Sequence, residues 1–147
     1  VTLLYADTSA ILRAYFADES DHDALRAGLL EGTDPVVTSE VARVELASAV
    51  RSAAAAGRLK RWRGVLARMD ADCGPNGPIT LLALRSDPIL TRSRSLVLEH
   101  RVRTLDAIYL AVALVECPSL SGEGGTAFVT RDEDQAAAAS RLGFEVR

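Results

Sequence analysis

Five short apolar runs punctuate this chain, and the segments between them carry helical periodicity. The runs are Leu3–Ala6, Val36–Thr38 after Pro35, Ile79–Leu84, Ala127–Val129 and Phe144–Val146. Short apolar strands alternating with helices predict an α/β architecture around a mostly parallel sheet. At 147 residues the chain is expected to form one domain, residues 1–147, with a core that needs no staples.

The helices are read from spacing and punctuation. Thr8–Phe16 follows the first run, with Asp7 or Thr8 as its N-cap. Asp21–Leu30 is closed by Gly32. Ser39 is positioned to cap a helix from about Glu40 to Ala56, which Gly57 stops. Arg58–Asp70 resumes the pattern around Leu59, Trp62, Leu66 and Met69, so the two segments predict an αα-hairpin. A further helix begins at Ser86-Asp87-Pro88, another spans Arg103–Glu116, and a last one spans Asp132–Leu142 up to Gly143. Pro118–Thr126, rich in glycine and serine, reads as a flexible connection.

In open parallel sheets, ligands bind beyond the carboxyl ends of the strands. Two acids fall there: Asp7 directly after the first run, and Asp132 just beyond Val129. Asp106 opens an apolar helix, and Glu45 lies among Val41, Ala42, Ser48 and Ala49 with no basic neighbour one turn away. Capping or the helix dipole explains Asp7, Asp106 and Asp132 taken singly, but neither explains Glu45. Converging carboxylates without a basic partner repel unless a hard divalent cation stands between them. The arrangement therefore points to metal-dependent cleavage of a phosphoester. Glu133 and Asp134 compete with Asp132 for its place, although helical geometry is expected to turn them away. Glu40, with Arg43 one turn on, is expected to be a surface pair.

Other chemistries find less support. His22 and His100 lack ligand spacing, no phosphate-cradling glycine loop is present, and the single lysine, Lys60, lies on a helix. Cys73 and Cys117 form no CxxC pair, which suits reduced thiols. The N-terminal run meets Asp7 almost at once and lacks a basic flank, which argues against a signal peptide. The net charge of −3 conceals two arginine-rich series, one from Arg51 to Arg68 and one from Arg85 to Arg103. Each reads either as a solvated helix face or as a phosphate-contacting patch.

Four segments carry a resemblance. Tyr5-Ala6-Asp7-Thr8-Ser9-Ala10-Ile11-Leu12 resembles the opening of a PIN domain of the VapC-type toxin ribonucleases. Thr38–Leu46, Thr104–Ala111 and Phe128–Asp132 match in the family's order, with Gly143–Val146 closing the chain. The resemblance implies a three-layer α/β/α domain with a central parallel sheet, and Asp7, Glu45, Asp106 and Asp132 as an acidic quartet. In that reading Asp7, Asp106 and Asp132 hold Mg²⁺ or Mn²⁺, and Glu45 orients or deprotonates the attacking water. Ser9 and Thr130 support them as hydroxyls. A cytoplasmic toxin that cleaves RNA, silenced by a cognate VapB-type antitoxin and forming a homodimer, is also implied.

Two features depart from the pattern: the long glycine-rich connection Pro118–Thr126, and Tyr109 where a histidine is often found. The apolar positions Val44, Val50, Leu59, Trp62 and Leu66 suggest either ordinary core packing or a groove for an antitoxin helix. The competing function class is a non-catalytic module that uses the same fold to bind RNA or protein.

Overall fold

The computed structural model describes residues 1–147. Five strands form one all-parallel sheet: β1 (Leu3–Ala6), β2 (Val36–Ser39), β3 (Ile79–Leu82), β4 (Thr126–Val129) and β5 (Glu145–Val146). Seven helices flank it: α1 (Thr8–Tyr15), α2 (His22–Leu29), α3 (Ala42–Ala55), α4 (Trp62–Asp72), α5 (Ser86–His100), α6 (Thr104–Leu120) and α7 (Glu133–Arg141). All five predicted strands and all seven predicted helices are present, which gives the three-layer α/β/α arrangement.

The strand order is β3-β2-β1-β4-β5. From the central β1 the chain builds toward β2 and β3 on one side, then returns to add β4 and β5 on the other. The reversal lies between β1 and β4, where Tyr5 is in register with Phe128 and Ala6 with Val129. A crevice opens at such a switch point, because the crossover helices on its two sides leave in opposite directions.

Every residue of β1 and β2 is buried, which explains why these strands read as unbroken apolar runs. Tyr5 and Phe128 lie side by side with ring centroids 5.2 Å apart, and Tyr109 of α6 meets the Tyr5 ring edge-on at 6.5 Å. Ala107, Ala111 and Ala113 are fully buried on α6, so small side chains bring this helix close to the sheet. With α5 covering its other flank, α6 is apolar nearly all round, as a buried helix should be. No helix is long and apolar enough to cross a membrane.

Among the boundaries that differ from the sequence expectation, three have a physical cause in the packing. First, α6 continues through Pro118 to Leu120. The proline falls in the last turn, where Cys117 is fully buried and its carbonyl receives the N–H of Ser121 at 2.9 Å, so packing carries the helix past the lost donor. Second, α4 starts at Trp62 rather than Arg58, because Arg58 is held at 2.9 Å by Asp18, about 40 positions earlier in the chain. Third, α3 starts two residues late. Ser39 and Glu40 still belong to the sheet edge, with Glu40 N–H donating to the Leu82 carbonyl at 2.9 Å. The Glu40 carboxylate then accepts the Leu84 N–H at 2.7 Å instead of pairing with Arg43.

Candidate active site

Asp7 is the first residue beyond β1, and the turn into α1 fixes its side chain. It N-caps α1 by accepting the Ala10 N–H at 3.2 Å, as its position predicted. Ser9 donates to the same oxygen, Oδ1, at 2.6 Å. Thr130, the residue after β4, donates to Oδ2 at 2.5 Å. The two hydroxyls also act as acceptors: Ser9 Oγ takes the Arg131 N–H at 2.8 Å, and Thr130 Oγ1 takes the Asp132 N–H at 3.1 Å. Each hydroxyl has one proton, and both protons are directed at Asp7. Ser9 and Thr130 therefore hold one carboxylate across the switch point.

Asp7 is only 5% exposed. Burial pushes its carboxyl up to about 6, against the pull of the Ser9, Thr130 and Ala10 hydrogen bonds, and the nearby Asp132 carboxylate adds to the rise. A buried carboxylate with three donors and no cation is only partly compensated.

Glu45 lies in the first turn of α3. Its Oε1 accepts from Thr8 Oγ1 at 3.0 Å, and Thr8 Oγ1 lies 2.5 Å from the Tyr109 hydroxyl. Once Thr8 gives its proton to Glu45, Tyr109 must donate to Thr8, forming a directed chain Tyr109→Thr8→Glu45. Burial raises the Tyr109 phenol far above its ordinary range and keeps it a donor; Thr8 opposes this and the Glu45 carboxylate adds to it. The sequence left Glu45 without a partner one turn away. Its partner comes from α1 instead.

Asp106 lies in the first turn of α6, half-buried. Burial raises its carboxyl first, then Asp132 and Glu45; Arg103 pulls it down, and Asp134 raises it further. Asp132 N-caps α7, accepting the Gln135 N–H at 3.0 Å. The fully buried Gln135 ties α7 to α6 by donating to the Asp106 carbonyl at 3.2 Å, while its own Oε1 has no partner. These influences join the four acids into one field: Asp132 acts on both Asp7 and Asp106, and Glu45 acts on Asp106.

The exposed part of this region is a cleft of about 310 Å³ between the α5–α6 connection and α7. Asp106, Asp132 and Asp134 line it together with His100, Arg101, Arg103 and Arg141. Asp7 and Glu45 do not line this cleft. Asp134 was expected to turn away, yet it shares the wall with Asp132, while Glu133 does not. His100, which lacks ligand spacing in the sequence, also lines the cleft. Thr8, Tyr109 and Gln135 were not singled out as site residues. Tyr109 follows Asp106 at helical spacing on α6, and that was the available signal.

Elsewhere, much of the first arginine series is already committed. Arg58 binds Asp18 and Glu19, Arg68 binds Asp72, and Arg51 and Arg63 stack on Trp62 at 4.5 and 4.4 Å from the ring centroid.

No three His, Cys, Asp or Glu side chains stand together tightly enough to ligate one ion as they are. The donors are nonetheless hard oxygens, and the most buried of them lacks a compensating charge. Such a donor set suits a hard divalent cation that keeps several waters and binds through one or two carboxylates rather than an all-protein cage.

The sequence model of the PIN domain family matches residues 4–141. Among solved structures, the crystal structure of VapBC2 from Rickettsia felis bound to a promoter DNA fragment is similar over 99% of this chain and 98% of that one, with TM-score 0.63 and 11% identity. A toxin–antitoxin complex from Klebsiella pneumoniae is similar over 92% of this chain and 91% of that one, with TM-score 0.52 and 20% identity. No curated protein sequence matches significantly. The chain belongs to the PIN domain family.

Proposed function

We propose that this PIN-domain chain is the toxin of a VapBC-type module, a cytoplasmic endoribonuclease that hydrolyses RNA phosphodiester bonds with Mg²⁺ or Mn²⁺. The observation that carries the reading is the acidic field around Asp7, a carboxylate held at the switch point by Ser9 and Thr130 with no cation to balance it. Similarity to structures that contain toxin–antitoxin complexes supports the biological setting.

Asp7, Asp106 and Asp132 would hold the ion, with Asp134 at the rim of the cleft. Bound there, a divalent ion would supply an activated water and would neutralise charge on the phosphate oxygens. Glu45 would orient the attacking water or take up its proton. The Tyr109→Thr8 chain holds one of its oxygens in place and leaves the other free. Ser9 and Thr130 keep Asp7 ionised despite burial, by donating to both of its oxygens. A single strand suits the cleft, because it can bend toward the acids and expose one phosphate at a time.

The antitoxin is proposed to lie along α3 and α4. Val44 there is 71% exposed, and Trp62 and Leu66 are only partly buried, whereas Val50 is fully buried and unavailable. Unchanged Trp62 fluorescence on adding antitoxin would remove that placement. Assembly as a homodimer belongs to the same proposal.

The test is to map new RNA 5′ ends in cells expressing the chain alone, beside an Asp106→Asn variant. Cleavage sites present only with the parent chain support the reading. Identical maps from both chains contradict it, and retained partner binding without metal binding would favour a non-catalytic module.

A further inference from the structure

Several arginines elsewhere in the molecule are tied to carboxylates: Arg58 has one at 2.9 Å, Arg85 at 2.7 Å and Arg131 at 2.9 Å. Arg101, Arg103 and Arg141 have none within ion-pair distance, although three aspartates line the same cleft. No hydrogen bond occupies their guanidinium groups either. Three exposed, uncommitted guanidiniums therefore line one cleft, Arg101 and Arg103 from the α5–α6 connection and Arg141 from α7.

Two features of the backbone on the α5–α6 side agree with an anion in that cleft. Arg101 adopts φ +57°, the left-handed conformation, at the end of α5 where glycine is ordinarily preferred. An arginine there carries a strain that glycine would relieve. The 17-residue α6 begins three residues on, and no side chain caps its free N–H groups.

From this lining we infer that Arg101, Arg103 and Arg141 form a subsite for a backbone phosphate of the RNA strand, next to the phosphate that faces the acids. The inference rests on the ribonuclease reading. An isolated small anion would be repelled by Asp106, Asp132 and Asp134. A strand instead presents phosphates at a regular spacing, so one can sit among the arginines while its neighbour reaches the acidic side. Guanidinium groups grip phosphate oxygens in pairs, without regard to base. The subsite therefore sets the register of the strand and adds no sequence preference.

The experiment measures binding of a fluorescein-labelled single-stranded RNA across a NaCl series, in chains that also carry Asp7→Asn to prevent cleavage. Arg103→Ala and Arg141→Ala should each weaken binding roughly tenfold, as loss of a charged hydrogen-bonding partner does. Each should lower the slope of log K against log salt by about 0.7. Arg103→Lys should restore the slope but not the full affinity.

Arg101→Gly should lose RNA affinity while its melting temperature holds or rises, a split that a purely structural arginine would not produce. Arg26→Gln, in the pocket between α2 and α4, removes one charge and should leave the slope unchanged. If Arg101→Gly, Arg103→Ala and Arg141→Ala all bind within twofold of the parent with the same slope, the subsite is wrong even though the parent cleaves RNA. If the parent chain without Asp7→Asn neither binds nor cleaves RNA, the ribonuclease reading itself has failed, and the subsite fails with it.

Discussion

Thr130 Oγ1 donates to Asp7 Oδ2 at 2.5 Å, tying the residue after β4 to the residue after β1 at the point where the sheet reverses direction. The two positions are 123 residues apart, so this bond forms only when the parallel pairing of β1 with β4 is in register. The site is thus a consequence of the topology.

Thr130→Val removes a hydrogen bond that favours the ionised form of Asp7, so the Asp7 carboxyl should rise above about 6. RNA cleavage should fall roughly tenfold at pH 7, the scale of one charged hydrogen bond, with the acidic limb of its pH profile displaced upward. Thr130→Ser keeps the hydroxyl and should keep the profile. A pH–rate series on the three chains checks this, and superimposable profiles would refute it.

Asp7 also makes a stability prediction with a definite sign. Its carboxyl is about 6 folded against 3.8 in the reference state, so the folded chain binds this proton more tightly. The stability that this group provides is full below 3.8 and is lost as pH rises through about 6. The separation is worth on the order of 3 kcal/mol at neutral pH. Metal-free Asp7→Asn should therefore melt at higher temperature than the parent at pH 7.5, with the gain shrinking toward pH 4. Mg²⁺ should raise the melting temperature of the parent more than that of the variant. A variant less stable than the parent at pH 7.5 contradicts the account.

Tyr109→Phe deletes the hydroxyl at the head of the chain to Glu45 while keeping the ring that packs on Tyr5. Turnover should fall about tenfold with KM nearly unchanged, because Glu45 loses orientation rather than contact with substrate. Thr8→Val, which removes the bond to Glu45 itself, should cost more. Steady-state kinetics separate the two effects; a change confined to KM would assign Tyr109 to substrate binding.

Phe128 lies fully buried between Tyr5 and Phe144. Phe128→Ala should destabilise the fold by about 3–5 kcal/mol, measured by urea unfolding. A loss below 1 kcal/mol would mean that the aromatic layer is not central to the core.

The strands were legible because β1 and β2 are buried on both faces, which leaves an apolar run with little polar interruption. Asp7 and Asp132 were legible as caps because capping is local: each accepts an N–H three residues on. The partners of Glu45 were not, since Thr8 is 37 positions away and Tyr109 lies 101 positions from Thr8. The start of α4 was missed for a similar reason, as Asp18 and Glu19 draw Arg58 out of the helix. The uncommitted arginines of the cleft could not be told from the paired ones by composition. Arg85 and Arg103 belong to one series, yet the first forms an ion pair with Glu116, and the second acts on Asp106 without a direct ion pair.

The most direct test of the central claim is single-turnover cleavage of a labelled RNA, with Mg²⁺ titrated into the metal-free parent chain and into Asp7→Asn. The account predicts a rate that rises from near zero and saturates with Mg²⁺ in the parent. In the variant that rate should be lower by a factor of at least about 100, the scale of losing a principal electrostatic group in a site of this kind. Cleavage that proceeds equally without Mg²⁺, or equally in the two chains, would contradict it.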